Sequence, residues 1–298
     1  MGHTVFSIAN GTLERCSGET ERVTVPEGVR ALGPRAFFHR RDMRQILLPE
    51  GLRAIGVECF DGCDALREIR LPDSVERIDR GAFGGCDALE EIRLPEGLEG
   101  IEAELCFGCG SLRQIQIPEG LRAIGASAFE DCASLRRILL PASMGSVGEN
   151  AFYGCEALEE IELPEGLEEI CGGCFMNCGS LRRVRLPESL RAIGPNAFQN
   201  CGSLRRLASP TGLREIGAGA FYGCEALEEI ELPEGLRAIG SRAFCACSHL
   251  RKVQIPGSVE QIGEQVFQRC PLAEICAPAG SAAERYAREH QLPFRMSP

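Results

Sequence analysis

The 23-residue stretch PEGLRAIGASAFEDCASLRRILL, at positions 118–140, sets the pattern for most of the chain. Its leading proline recurs at a constant interval, at positions 26, 49, 72, 95, 118, 141, 164, 187, 210, 233 and 256. Two 17-residue segments, 151–167 and 220–236, share the sequence AFYGCEALEEIELPEGL. A fixed period of this length is typical of repeat proteins, in which each unit buries its apolar side against the next. The sequence therefore predicts a solenoid of eleven 23-residue units.

Each unit contains the pattern L-x-x-I-x-L, as at Leu112, Ile115 and Ile117, which predicts a strand of a parallel sheet. The proline that follows ends the strand, because it has no N–H for the next ladder bond. A second extended piece comes next, and then a slot that is glycine in eight units, where we expect a positive φ or a close backbone approach. The AFxxC segment is predicted to form a short helical turn that leads to the next strand.

Aromatic and cysteine side chains recur in register, and we expect both to stack in the core. The phenylalanine positions are 37, 60, 83, 129, 152, 175, 198, 221, 244 and 267. Ten of the seventeen cysteines follow the same spacing, at positions 63, 86, 109, 132, 155, 178, 201, 224, 247 and 270. In the fourth unit Cys106 takes the phenylalanine slot, with Phe107 beside it. A free cysteine in such a position behaves as a small buried hydrophobic residue.

The segment CGGCFMNC, residues 171–178, contains a CxxC pair of the kind found in zinc and redox sites. Cys178 belongs to the cysteine ladder, Cys174 occupies a slot that is usually alanine, and Cys171 occupies the glycine slot. We interpret the pair as two substitutions in a periodic frame, with a zinc or redox site as the alternative. A zinc ion needs about four convergent ligands, and the four histidines lie in different units. No cofactor is expected.

Composition argues against several classes of function. The net charge is −11 and the pI about 5.1, which opposes binding to a nucleic-acid backbone. No apolar run approaches the roughly 20 residues of a membrane span, so we expect no membrane insertion. The N-terminus lacks the pattern of an export signal. As the sequence stands we expect a cytoplasmic chain, and a secreted or cell-surface one if a leader precedes it.

Both ends depart from the repeat and are predicted to be caps. Residues 1–25 contain Asn10-Gly11 between alternating residues, a strong hairpin signal. The solenoid is assigned to residues 26–277. Residues 278–298 contain Ser281 and Glu284, which fit a capping box that opens a helix to about Glu289. We expect a monomer.

The unit P-x-G-L-x-x-I-G-x-x-A-F-x-x-C-x-x-L-x-x-I-x-L resembles the treponemal, or BspA-like, leucine-rich repeat family over residues 20–277. The resemblance implies an α/β repeat solenoid, a right-handed leucine-rich-repeat superhelix with a parallel concave sheet and short helical turns. It also implies a protein-binding role, often at bacterial surfaces that touch host matrix or other cells.

The sheet face carries the candidate binding residues, at the third and fifth positions of L-x-x-I-x-L. The candidates for contact with a protein partner, or with a glycan or host matrix, are Arg137, Glu160, Arg183, Arg185, Arg206, Glu229 and Lys252. Glu160 is expected between Arg137 and Arg183, and Glu229 between Arg206 and Lys252, as opposite charges on adjacent strands. Arg183 beside Arg206 is a like-charge pair, which favours contact with an acidic group there.

No catalytic motif occurs: the chain has no GxxxxGK[ST], GxSxG or HExxH, and no GxGxxG after a strand. The sequence therefore predicts a non-enzymatic protein-interaction module. A structural spacer array without a dedicated ligand is one alternative, and a cysteine-rich metal or redox protein is another.

Overall fold

The computed structural model describes residues 4–297. It contains two compact units, Met1–Glu156 and Ala157–Pro298, here called the N-terminal and C-terminal units. Both are parallel β-solenoids whose turns coincide with the repeats of the sequence, and helix contributes little to either.

The L-x-x-I-x-L pattern forms the first strand of each turn, as predicted. In the N-terminal unit these strands are β3 (Arg22–Thr24), β5 (Gln45–Leu47), β7 (Glu68–Ile69), β9 (Glu91–Arg93) and β11 (Gln114–Gln116), and they pair in parallel in that order. In the C-terminal unit they are β14 (Glu160–Glu162), β16 (Arg183–Arg185), β18 (Arg206–Ala208), β20 (Glu229–Glu231), β22 (Lys252–Gln254) and β24 (Glu274–Ala277). The central apolar residue is buried and its neighbours point to solvent, as for Ile92 between Glu91 and Arg93.

A second short strand follows the proline turn. In the N-terminal unit these strands are β4 (Ala31–Leu32), β6 (Ala54–Ile55), β8 (Arg77–Ile78), β10 (Gly100–Ile101), β12 (Ala123–Ile124) and β13 (Ser146–Val147). In the C-terminal unit they are β15 (Glu169–Ile170), β17 (Ala192–Ile193), β19 (Glu215–Ile216), β21 (Ala238–Ile239) and β23 (Gln261–Ile262), which form one continuous parallel sheet.

The glycine slot after the second strand is explained by close backbone approach and not by a positive φ. A Cβ atom on Gly125 would lie 2.5 Å from the Ala103 nitrogen, and one on Gly56 would lie 2.7 Å from the Pro34 nitrogen. Both distances are well inside van der Waals contact, so glycine at these two positions lets the turns approach closely. Glu102 takes the place of this glycine in one turn. Strand β10 of that turn is not hydrogen-bonded to strand β8 of the turn before it.

The AFxxC segment is a run of β-turns, so the prediction of a helical turn was wrong. In the first such segment, the amides of Ala36, Phe38 and Arg40 donate to carbonyls three residues earlier, at 3.1–3.2 Å. Arg35 and His39 have φ values of 57° and 56°, as the third residue of a type II turn requires. A left-handed residue stops helix propagation. The amides between these bonds donate to the next turn instead, as Phe37 does to the Cys59 carbonyl at 2.9 Å.

Phenylalanine rings stack through the core of each unit, which confirms the predicted ladder. Ring centroids of successive turns lie 5.1–5.5 Å apart in the N-terminal unit and 5.2–5.7 Å apart in the C-terminal unit. Cys106 interrupts the stack, and the adjacent Phe107 is 42% exposed. The phenylalanines are the largest fully buried side chains of the core.

The cysteine ladder is buried beside the rings, and its thiols have a defined partner. Cys63 donates to the carbonyl of Phe37 at 3.2 Å, and equivalent bonds of 3.0–3.3 Å recur in both units. Each bond links a thiol to the phenylalanine slot of the preceding turn. The regular spacing of these cysteines is therefore a packing feature of the repeat.

The N-terminal end is closed by a hairpin. Strands β1 (Val5–Ala9) and β2 (Thr12–Ser17) pair antiparallel around Asn10-Gly11, as the sequence predicts, and β2 continues in parallel to β4. Arg40 stands in the cysteine slot of the first turn, and its buried guanidinium donates to the Cys16 sulfur at 3.0 Å.

The C-terminal end is closed by helix α1 (Ala282–Glu289) and strand β25 (Phe294–Met296), which pairs in parallel with β24. Ser281 accepts a hydrogen bond from the Glu284 amide at 3.2 Å, and the Glu284 carboxylate accepts one from the Gly280 amide at 2.6 Å. The Tyr286 ring lies edge-on to Phe267 and its hydroxyl accepts the Val266 N–H at 2.9 Å. The tyrosine thus covers the end of the ring stack.

Candidate functional site

The structure places six of the seven predicted site residues on first strands of the C-terminal unit. These are Glu160 on β14, Arg183 and Arg185 on β16, Arg206 on β18, Glu229 on β20 and Lys252 on β22. Arg137 belongs to the N-terminal unit and lies in the stretch 135–140, which forms no strand. The placement of Arg137 in the binding row stays a prediction.

Strands β14 and β16 carry the predicted pairing of opposite charges. Their register places Glu160 opposite Arg183 and Glu162 opposite Arg185. The closest nitrogen–oxygen distances are 3.7 Å for the first pair and 3.0 Å for the second. Both pairs are largely exposed, so each contributes at most about 1 kcal/mol.

Glu229 does not bridge its two basic neighbours. The register places it opposite Arg206 on one side and Lys252 on the other. In the part of the chain that the structure describes, it forms an ion pair with neither. The expected neutralisation of Arg206 by Glu229 is therefore not made through direct contact.

The ladder of first strands is interrupted between β16 and β18. Within residues 157–297, no backbone hydrogen bond joins these two strands. The residue just before each first strand shows where the ladder is intact and where it is not. The Arg182 amide donates to the Glu159 carbonyl at 3.0 Å, and the Glu228 amide donates to the Arg205 carbonyl at 3.1 Å. The Arg205 amide makes no corresponding bond to Arg182.

Like charges at this position, the second of L-x-x-I-x-L, contribute to the opening of the ladder. In the N-terminal unit, neighbours of opposite charge keep the bond: the Arg44 amide donates to Glu21 at 2.8 Å, and the Arg113 amide to Glu90 at 2.8 Å. Where arginine follows arginine the bond is long or lost. Arg67 donates to Arg44 at 3.4 Å, and the Arg136 amide makes no described bond to Arg113.

The magnitudes are consistent with this explanation. Like charges on adjacent strands are destabilising by a few tenths to about 1 kcal/mol, and one backbone hydrogen bond contributes about 0.5–1.5 kcal/mol net. Repulsion between Arg182 and Arg205, added to that between Arg183 and Arg206, is therefore comparable to the bonds that are lost.

The opening is local, because the other contacts between the same two turns persist. Strand β17 pairs with β19 in register, with Ile193 opposite Ile216. The Phe198 amide donates to the Ala220 carbonyl at 2.8 Å. The two turns therefore stay stacked through the core and separate only at the sheet face.

A cavity of about 580 Å³ adjoins this opening. Its lining includes Arg182, Arg183 and Arg205, around the small residues Gly202, Ser203 and Ala226. We call Arg182, Arg183, Arg205 and Arg206 the arginine cluster. Arg182 pairs with Glu159 at 2.6 Å and Arg183 with Glu160 at 3.7 Å. Arg205 and Arg206 form no ion pair among the described residues. Two guanidinium groups are thus available to a ligand.

Sequence reasoning missed Arg182 and Arg205, because it considered only the third and fifth positions of the pattern. The second position also faces the sheet side, and the sequence signal was the LRR triplet in consecutive units, at 181–183 and 204–206. Including the second position of each unit would have added Arg182 and Arg205 to the predicted pair of Arg183 and Arg206.

Cys174, one half of the CxxC pair, does not have the character of a reactive thiol. Cys174 is buried, and burial raises the pKa of its thiol well above the ordinary value. A reactive cysteine needs a lowered pKa. Among residues 4–297 there is no group of three or more His, Cys, Asp and Glu residues placed to hold a metal ion. No described helix is long and apolar enough to span a membrane.

Solved structures share this fold. A leucine-rich repeat protein from Bacteroides ovatus is 24% identical with a TM-score of 0.62, over 100% of this chain and 98% of that one. A leucine-rich cell surface protein from Faecalibacterium prausnitzii is 23% identical with a TM-score of 0.57, over 96% and 97%. The pneumococcal vaccine antigen PcpA is 15% identical with a TM-score of 0.58, over 93% and 79%. At these identities the likeness establishes the fold alone.

Comparison with curated proteins gives no sequence match. The profile of the BspA type leucine-rich repeat region matches residues 6–136, 79–201 and 170–283, which together span nearly the whole chain. The same 23-residue unit forms the turns of both units in the structure. The chain belongs to the BspA-type leucine-rich repeat family.

Proposed function

We propose that the protein is a non-enzymatic binding module, and that the arginine cluster receives an acidic group of a protein partner. The observation that carries this proposal is the pair of ion-pair-free arginines, Arg205 and Arg206, at an opening in the strand ladder. Arginine binds carboxylate and phosphate groups through paired N–H donors, which makes such a cluster a strong anion site.

The net charge of the whole chain indicates what kind of anionic group the arginine cluster can receive. The net charge is −11, so a local group of four arginines contrasts with an acidic background. A compact cationic patch of this kind favours a localised acidic group over a long anionic polymer, which the rest of the surface repels. The partner is therefore expected to present one acidic site on an otherwise neutral or basic surface.

The test uses a fluorescein-labelled peptide with a central Glu-Asp pair between neutral residues, titrated with the full chain at low salt. Fluorescence anisotropy is expected to show binding that weakens as salt rises, because the interaction is between exposed charges. The double variant Arg205→Glu/Arg206→Glu should bind at least about tenfold more weakly, since each charge contact is worth on the order of 1 kcal/mol.

A matched control is present in the same unit. Arg251 and Lys252 occupy the second and third positions two turns later, and neither forms an ion pair in the described residues. The double variant Arg251→Glu/Lys252→Glu makes the same change in net charge, and its affinity should stay within about twofold of the parent. Equal binding by the parent and by the Arg205/Arg206 variant would contradict the proposed site and favour the spacer alternative.

A further inference from the structure

The arginine cluster offers more hydrogen-bond donors than a carboxylate can use. The guanidinium groups of Arg205 and Arg206 form no ion pair with a described residue, and Arg182 and Arg183 each use only part of their donor set on a glutamate. The backbone N–H of Arg205 has no described backbone acceptor, and Ser203 lines the same cavity as Arg205. A carboxylate has two oxygens, whereas a phosphoryl group has three and carries a charge of about −1.5 to −2.

We propose that the group bound at this opening is a single phosphoryl group, presented by a phosphoserine or phosphothreonine of the partner. The proposal rests on the proposed function, namely that the cluster binds an acidic group of a protein. It adds the chemical identity of that group and the atoms that receive it.

The glutamates on either side of the arginine cluster favour a compact anion as its ligand. Glu159 and Glu160 lie on the turn before it, and Glu228 and Glu229 on the turn after it. Adjacent turns are about 4.8 Å apart, so an anionic chain that ran along the sheet would meet carboxylates on both sides. A sulfated glycan or a nucleic acid is disfavoured by this arrangement. A phosphorylated residue with neutral or basic neighbours is favoured.

Charge distinguishes phosphate from sulfate at this opening. A phosphoryl group has a second pKa near 6 and is mainly a dianion at neutral pH. A sulfate ester carries one negative charge, so it offsets less of the positive charge of the four arginines.

The experiment compares nine-residue peptides with identical neutral flanks and a central phosphoserine, O-sulfoserine, glutamate or serine. Affinity for the full chain is measured by anisotropy, and the site is located by the amide resonance of Arg205 in ¹⁵N-labelled protein. The phosphoserine peptide is expected to bind at least tenfold more tightly than the glutamate and sulfoserine peptides, and to shift the Arg205 amide. Arg205→Glu/Arg206→Glu should lower its affinity at least tenfold, and Arg251→Glu/Lys252→Glu should not.

The outcomes separate the two proposals. Equal affinity for the glutamate or sulfoserine peptide, lost in the Arg205/Arg206 variant, would overturn the phosphoryl assignment and leave the proposed binding function intact. Phosphopeptide binding that survives the Arg205/Arg206 reversal, or that leaves the Arg205 amide resonance unmoved, would also overturn the assignment. Failure of all the anionic peptides to bind would overturn both proposals.

Discussion

Phenylalanine side chains are the largest fully buried side chains in each unit. Phe152 is completely buried, and its ring centroid lies 5.5 Å from that of Phe129. The same slot is filled by phenylalanine in nearly every turn, so each ring is supported by its neighbours in the stack.

We expect Phe152→Ala to lower the free energy of unfolding by about 3–5 kcal/mol, because it removes a buried ring and leaves a cavity. Phe107→Ala serves as the control: this ring is 42% exposed, and the expected loss is below about 1 kcal/mol. Urea unfolding followed by circular dichroism gives both values. Similar losses for the two variants would contradict the assignment of Phe152 to the core.

Buried thiols make the stability depend on alkaline pH. Burial raises the pKa of Cys63 and of Cys224 to about 12, whereas an unfolded cysteine titrates near 8.5. A group whose folded pKa is raised contributes its full stabilisation below the unfolded pKa and loses it as pH rises toward the folded pKa. The free energy of unfolding should therefore fall above about pH 8.5.

Each such thiol contributes a slope of about −1.4 kcal/mol per pH unit in this range. Urea unfolding under reducing conditions at several pH values between 7 and 10 measures the total slope. Cys224→Ala should have a shallower slope than the parent by about the value for one thiol. Identical slopes would show that the Cys224 thiol ionises as easily in the folded state as in the unfolded state.

At the scale of the strand, the charge of the preceding turn affects the hydrogen bond just before each first strand. The amides of Arg44, Arg113 and Glu228 follow a residue of opposite charge and keep a ladder bond of 2.8–3.1 Å. Arg136 and Arg205 follow another arginine, and no such bond is described for either amide. Short strands with few ladder bonds are sensitive to this effect, since each lost bond is a large share of the pairing.

Hydrogen exchange tests the interrupted ladder directly. The Arg205 amide should exchange at least about tenfold faster than the Glu228 amide, because one net hydrogen bond corresponds to roughly that factor. In the N-terminal unit the Arg136 amide should likewise exchange faster than the Arg113 amide. Site-resolved exchange by NMR provides the comparison at neutral pH. Equal protection of Arg205 and Glu228 would show that the ladder is closed in solution.

At the scale of the whole chain, all seventeen cysteines lie among the described residues, and none of them forms a disulfide bond there. All but Cys171 are buried, and Cys171 is partly exposed. The repeat places the ladder thiols next to phenylalanine carbonyls, where they pack and donate weak hydrogen bonds.

Thiol titration under reducing-agent-free conditions should therefore detect about one fast-reacting thiol in the folded chain and all seventeen after denaturation. Cys171→Ser should remove the fast phase and leave the denatured count one lower. Rapid reaction of several thiols in the folded protein would contradict the buried ladder and support the redox alternative.

The 23-residue period, the buried phenylalanine and cysteine ladders, the hairpin at Asn10-Gly11 and the helix at Ser281 were all determined by the sequence alone. They follow from local rules, because a repeated pattern forces each turn to bury the same side chains as its neighbours. The sequence also predicted Arg183 and Arg206 as like-charge neighbours.

Only the tertiary structure decided how the AFxxC segment folds and where the ladder opens. The left-handed residues Arg35 and His39 are held by hydrogen bonds to the next turn, which no helix or strand propensity encodes. The opening at the arginine cluster likewise depends on Arg182 lying beside Arg205, its equivalent in the next repeat. Stacking brings their charges together, and the resulting repulsion is similar in size to the single hydrogen bond that would join the two strands.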